Sequence, residues 1–320
     1  MWRYVCKRFI LAVPVLIGAT FLVFTIMYFA PGDPARMILG SSATEEAIEN
    51  LREELGVNDP FIVQYGNFMK NLLHGSLGNS YRNGQPITKL IMGRLANTVV
   101  LASVSIIFAV IVGVIVGVIS AVRQYSVIDN VTMFFTLVMT AIPTFWFGLI
   151  LVIIFSVHLG WLPASGMGRN FTDFCASLFL PVITLGGAFA AVVARTTRSS
   201  VLEVIHQDYI TMARAKGLTE SRVIWGHVMK NAMIPILTVV GLYFGVLLGG
   251  SVITESVFSW PGVGRFVVES ISYKDTPAVL GSVVTLAILF TLVNLIVDLL
   301  YACVDPRIKS QYKNAQKKVK

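Results

Sequence analysis

The side chains with the strongest claim to chemistry in this sequence are few and far apart. His74, His158, His206 and His227 fall in polar segments or at the edges of long apolar runs. Nucleophilic or acid–base catalysis needs a base within hydrogen-bond reach of its partner and a third group to orient it, and no histidine here has such neighbours in its segment. Cys6, Cys175 and Cys303 are too few and too scattered for a disulfide framework or a metal cluster. No Gly-Lys pair occurs, so the chain lacks the phosphate-cradling G-x-x-x-x-G-K-[ST] loop and hydrolyses no ATP by that route. The distinctive pattern is one of contact: Asp208-Tyr-Ile-Thr-Met-Ala-Arg-Ala-Lys-Gly217-Leu218. Ala213 and Ala215 followed by Gly217 suit a short helix that enters a cleft on another protein, with Gly217 ending it. Thr219 or Ser221 then starts a second helix over Arg222–Asn231, leading to Pro235. A basic loop resting on anionic lipid headgroups is an equal reading. Arg214 and Lys216 would meet acids of a partner, or remain solvated.

What positions this stretch is a set of long apolar runs. Of the 320 residues, 55% are hydrophobic and 13% charged, where a soluble domain carries about 25% charge. The missing polar surface is explained if much of the chain faces lipid. A helix needs about 20 apolar residues to cross a hydrocarbon core of about 30 Å. Six runs qualify: Phe9–Ala30, Thr98–Val122, Ile128–Val157, Leu178–Ala194, Met233–Ile253 and Val279–Cys303. The first is too long for the apolar core of a secretory signal, about 7–15 residues, and reads as a retained helix. Gly113 and Gly117 form a small-xxx-small pair. Pro143 and Pro181 predict kinks, Pro14 is tolerable near a helix start, and Trp161 suits an interfacial anchor.

The net charge of +8 follows topology rather than a nucleic-acid partner. With the N-terminus inside, the inner segments hold 16 Lys and Arg against five acids, and the outer segments nine against 11. That bias places both termini in the cytoplasm. The outer segment after the first span reads as two short helices. Ser42 with Glu45 forms a capping box for the first, which stops at Gly56; Asp59-Pro60 opens the second, which stops near Gly75. The expected fold is therefore an all-α integral membrane protein with six transmembrane helices. Residues 1–97 hold the first helix and a small helical extracytoplasmic cap, 98–308 a five-helix core with the basic loop 195–232, and 309–320 a basic tail.

Within this frame Asp298 is the one acid well inside an expected span, which makes it a functional candidate. It would serve proton coupling or, since a lone acid makes a poor relay, an ion pair with Arg195 or Arg198. In the outer loop 254–278, Glu255, Glu269 and Asp275 beside Trp260 would attract a peptide amino terminus, dock a receptor, or simply be solvated. Met233, Tyr243 and Phe244 would line or gate a path, or pack.

The loop resembles the coupling loop of ATP-binding-cassette importer permeases, whose general signature is E-A-A-x-x-x-G. Here Thr211-Met212-Ala213-Arg214-Ala215-Lys216-Gly217 lacks the glutamate and first alanine, and is similar to the variant of the dipeptide/oligopeptide branch. Pro235 lies 18 residues after Gly217, farther than in the general pattern and again like that branch. Ala30-Pro-Gly-Asp-Pro34, Gly75-Ser-Leu-Gly-Asn-Ser80, Arg94-Leu-Ala-Asn-Thr98, Pro143-Thr-Phe-Trp-Phe-Gly148, Phe258-Ser-Trp-Pro-Gly-Val-Gly264 and Asp305-Pro-Arg307 resemble the branch in the same order. The resemblance implies a multi-pass permease of a bacterial or archaeal cell (inner) membrane. Its partners would be a second homologous permease, usually a different chain, two cytoplasmic ATPases holding ATP and Mg, an extracytoplasmic solute-binding protein and membrane lipid. Tyr209–Leu218, that is Tyr209, Thr211, Ala213, Arg214, Ala215, Lys216, Gly217 and Leu218, would bind the ATPase. No cofactor and no metal would reside in this chain. Substrates would be dipeptides or oligopeptides, with glutathione, nickel complexes or oligosaccharides as alternatives. An ion-coupled secondary transporter should show an inverted repeat and several buried charges, and the sequence shows neither. An intramembrane enzyme needs a catalytic set inside the spans, and a scaffold without transport is the remaining competitor.

Overall fold

The computed structural model describes residues 2–40 and 42–304. Over that range the chain is helical, with a single β-bridge, Asn79 to Pro86. Asp298 lies within the last helix but its side chain is outside the described set, as are Asp305-Pro-Arg307 and the tail 309–320.

The helices form two compact units. The first comprises the described residues up to Val100 together with Ser251–Leu292. It holds α1 (Trp2–Phe29), α2 (Pro34–Leu39), α3 (Glu45–Leu55), α4 (Phe61–Leu73), the start of α5 (Ile87–Val122), and α12 (Val263–Ser272). The second comprises Leu101–Gly250 with the described residues from Val293. It holds most of α5, then α6 (Val127–Ala141), α7 (Thr144–Leu151), α8 (Phe171–Ile205), α9 (Asp208–Ala215) and α10 (Glu220–Val223). Besides α5, two more helices divide between the units, α11 (Met229–Val257) and α13 (Thr276–Val304).

Among the described residues, five helices are long and apolar enough to cross a membrane: those over Ile10–Phe29, Ile87–Val122, Phe171–Ile205, Glu220–Leu247 and Thr276–Val297. The expected third span is broken. α6 and the helix from Thr144 to His158 meet at 107° and make a sixth span only if counted together. The cause is local: Pro143 offers no N–H, and Ile142 before it is forced to extended angles, φ −77° and ψ 129°. Pro181, at which a kink is expected, lies inside α8, which is continuous over 35 residues.

In the first unit α4 lies on α1 through an aromatic cluster. Phe24 packs against Phe61 and Tyr65 at ring separations of 5.0 and 5.4 Å. Thr44 rather than Ser42 caps α3, accepting from the Ala47 N–H, and Gly56 closes it in the left-handed region at φ 66°. α4 starts at Phe61, with Pro60 rather than Asp59 at the cap. Ile87 and Ile91 form a core with Val263, Phe266 and Ala278, so α12, within an expected loop, is a packed helix. In the second unit α5 and α8 approach closely. A Cβ on Gly113 would stand 2.6 Å from Val193 Cβ, and one on Gly117 2.5 Å from the Ala194 carbonyl. Only glycine permits that approach.

Candidate functional site

The contact stretch forms its own short helix, α9. Gln207 enters it extended and Asp208 sits in the first turn, where a negative charge complements the helix dipole. Gly217 leaves it at φ 77°, its N–H donating to the Arg214 carbonyl at 2.9 Å. A Cβ at Gly217 would meet nothing within 4 Å, so the requirement there is conformational rather than steric.

The two faces of α9 differ. Ile210 and Ala213 are buried, so Ala213 turns into the chain rather than sharing a surface with Ala215. Tyr209, Thr211, Met212, Arg214, Ala215, Lys216 and Gly217 are exposed, and Leu218 is half-buried. Arg214 is already engaged: its guanidinium forks onto Glu220 of α10 at 2.7 and 3.1 Å. Asn231 donates to the Tyr209 hydroxyl at 2.8 Å, tying α9 to α11. The π-turn Ile224–Val228 joins α10 to α11 and packs on α8. α9 is thus tied by polar side-chain contacts to α10 and α11, and the π-turn between those two helices lies against α8.

Arg198 of α8 has a partner the sequence reading did not name. Its Nε and one terminal nitrogen donate to the two Asp129 oxygens, each at 2.7 Å. Asp129 is 2% exposed and also accepts from the Ser120 hydroxyl and the Tyr125 N–H. The signal was an acid at the margin of an apolar run three residues after a capping Ser126. Arg195 lines a cleft of about 330 Å³ with Tyr243, which stacks on Phe189 at 4.7 Å between ring centroids. Met233 and Phe244 are half-buried on α11.

The expected outer-loop residues serve the first unit's interior. Glu255 and Trp260 have no exposed surface, and Asp275 has 3%. Glu255 accepts from the Thr98 hydroxyl at 2.8 Å and the Arg265 N–H at 3.0 Å, and from Ser251 and the Gly264 N–H. It thereby neutralises the first N–H groups of α12. Burial pushes its carboxyl above the usual range, against the pull of those donors. Trp260 donates its ring N–H to the Asn97 carbonyl at 3.0 Å, and Asn97 donates to the Pro261 carbonyl at 2.9 Å. The stretches Arg94–Thr98 and Phe258–Gly264 are thus two halves of one joint. A Cβ on Gly264 would stand 2.6 Å from Val252 Cα.

Asp275 accepts from the Ser80 hydroxyl, the Tyr81 N–H and the Ala278 N–H at the start of α13. Burial, with that carboxylate nearby, pushes the Tyr81 phenol up to about 12. Lys274, not singled out in the sequence, donates to the Met27 and Ala30 carbonyls at the end of α1. Burial lowers its pKa. Of the three acids, Glu269 alone remains partly exposed, paired with Arg265 at 2.8 Å.

Two family models match the chain. That of the binding-protein-dependent transport system inner membrane component covers residues 113–310, and that of the N-terminal part of such components covers 1–102. The chain is 44% identical to the dipeptide transport system permease protein DppB of Alkalihalophilus pseudofirmus, over 97% of its own length and 100% of the relative's. It is 42% identical to the oligopeptide transport system permease protein AppB of Bacillus subtilis, with the same coverage. It is 40% identical to the glutathione transport system permease protein GsiC of Escherichia coli strain K12, over 97% of this chain and 99% of that one. Among solved structures, the inward-facing MetNI methionine ABC transporter superposes with a TM-score of 0.56 at 19% identity. The match covers 69% of this chain and 99% of that one, and speaks to the fold alone.

Proposed function

The chain belongs to the family of binding-protein-dependent transport system inner membrane components, and from that premise we propose that it forms half the translocation path of an ATP-driven peptide importer. The observation that carries the peptide assignment is the identity of 40–44% along nearly the whole chain with permeases of dipeptide, oligopeptide and glutathione systems. The three named substrates share peptide chemistry, which favours it over nickel complexes or oligosaccharides.

In this reading six spans, with α6 and α7 as one, carry both termini on the cytoplasmic side. Residues 1–97 supply the first span and an extracytoplasmic cap, 98–308 the five-helix core, and 309–320 a cytoplasmic tail. A second homologous permease completes the path, and two ATPases bind the exposed face of α9. A solute-binding protein delivers substrate to the outer segments, where Glu269 is the accessible acid of the 254–278 loop. Closure of the ATPases on ATP moves α9, and the links through Arg214–Glu220 and Tyr209–Asn231 pass that motion to α8 and α11. Met233, Tyr243 and Phe244 lie on the helix that would then move.

Affinity purification from native membranes, with mass spectrometry of the co-purifying chains, tests the assembly. A second permease with P-loop ATPases is expected; recovery of this chain alone from several mild detergents would overturn it. Replacing Ala215, exposed at the end of α9, by Trp should leave the complex in the membrane and its ATPase active while uptake falls at least about tenfold, a loss of about 1.4 kcal/mol or more in coupling. Undiminished uptake at equal abundance would remove α9 as the docking element.

A further inference from the structure

The second unit contains a cleft of about 330 Å³ between α6, α7, α8 and α11. Its walls include Thr140, Thr144, Phe189, Val192, Arg195 and Tyr243, and no acidic residue lines it. Arg195 is half-buried. One turn further along α8, Arg198 is consumed by Asp129, whereas Arg195 has no ion-pair partner among the described residues. A partly buried guanidinium in an otherwise apolar and hydroxyl-lined cleft is an incomplete arrangement: its low-dielectric surroundings favour an anion that can occupy both prongs of its fork. The stacked Phe189–Tyr243 pair, 26° from coplanar, supplies a flat wall beside it.

We infer that Arg195, with Tyr243 and Phe189, is a recognition station for the terminal carboxylate of a peptide substrate on its way through the permease. This deepens, and rests on, the importer reading above. The volume lies at the low end of ligand sites, about 300–1,000 Å³, so it takes one end of a peptide rather than the whole of a long one. The charge fits the same occupant. A carrier of peptides of varied sequence cannot read side chains, but nearly every peptide ends in a carboxylate, and one cation with sequence-blind walls selects for that feature. Thr140 already donates its hydroxyl to the Thr136 and Leu137 carbonyls of its own helix, which leaves the guanidinium as the charged donor on the wall.

The test uses the full complex with its receptor in proteoliposomes, and radiolabelled trialanine with either a free carboxylate or a C-terminal amide. The same receptor serves every permease variant, so its own preference divides out of the comparison. The acid-to-amide uptake ratio should fall about tenfold in Arg195→Gln, as expected for loss of one charge-assisted contact, and be partly kept in Arg195→Lys. A receptor-free thermal shift supplies the second readout: trialanine acid should stabilise the purified wild-type complex and not the Arg195→Gln complex. An unchanged ratio, or equal loss of both peptides at equal membrane abundance, would overturn the carboxylate station and leave Arg195 a structural residue. Failure of the wild type to take up either peptide would overturn the peptide reading itself.

Discussion

Glu255 is a carboxylate with no exposed surface and four intrachain donors, and its titration is a measurable property of the fold. Burial raises its pKa above the ordinary 4.5, so the folded chain holds that proton more tightly than the unfolded chain. By linkage, the associated stability is fully present below the unfolded value and is lost as pH rises through the folded one. Glu255→Gln keeps the shape and removes the titration. Above the ordinary value of 4.5, the thermal midpoint of the wild type should fall with rising pH more steeply than that of the variant; parallel curves would reject the assignment. Gly217 makes the opposite kind of demand. It sits in open space at φ 77°, so backbone conformation is the only constraint. Gly217→Asn, which tolerates the left-handed region, should retain uptake close to wild type. Gly217→Val should reduce it severalfold, since a β-branched residue there costs about 1–2 kcal/mol. Equal uptake by the two variants would show that the turn is dispensable.

At the scale of elements, the sequence made the helices legible and their ends much less so. Apolar runs announce a span because lipid leaves no other way to satisfy the backbone. They do not announce where a helix stops once it leaves the lipid. α8 continues to Ile205 because Arg198 and Thr197 are received by a protein interior that includes Asp129, not by water. α12 lay within a stretch expected as a loop; Glu255, in the last turn of α11, accepts from the first N–H groups of α12 and is itself held by Thr98, far away in sequence. Such long-range polar joints leave no periodic trace. The Gly113 and Gly117 pair was a weak signal in a glycine-rich helix, and its meaning lies in the carbonyls and side chains of α8 opposite. Gly113→Leu should therefore abolish accumulation of the folded subunit, because the intruding atoms meet Val193 and the Ala190 backbone; overpacking costs about 1–3 kcal/mol even where side chains can yield. Gly18→Ala in α1, where a Cβ meets nothing within 4 Å, is the matched control. Normal accumulation of Gly113→Leu, measured by fluorescence-detected size exclusion, would mean that α5 and α8 need not touch.

For the molecule as a whole, the open choice is which way it lies in the membrane. Positive residues are retained on the cytoplasmic side because translocating them against the membrane potential is costly. The basic charges available for that rule are not equivalent in the structure. Arg198 is locked to Asp129 and Lys274 to backbone carbonyls, whereas Lys216 beside α9 is exposed. On the other side of the proposed topology, Asn83 lies in the exposed turn before α5. Single cysteines at these two positions, Lys216→Cys and Asn83→Cys, in a background with Cys6, Cys175 and Cys303 replaced by serine, read the orientation directly. In intact cells or right-side-out vesicles, a membrane-impermeant maleimide should label Cys at position 83 and reach position 216 only after permeabilisation. Because 16 of the 25 basic residues fall in the segments assigned to the cytoplasm, removing one of them does not invert the bias, so the probe leaves the topology it measures intact. The reverse pattern would place α9 outside, away from any ATP, and the chain could not then be driven from that helix. Labelling at both positions without permeabilisation would mean that an even number of spans separates them instead of the proposed three, and the bent pair α6–α7 would be the element to recount.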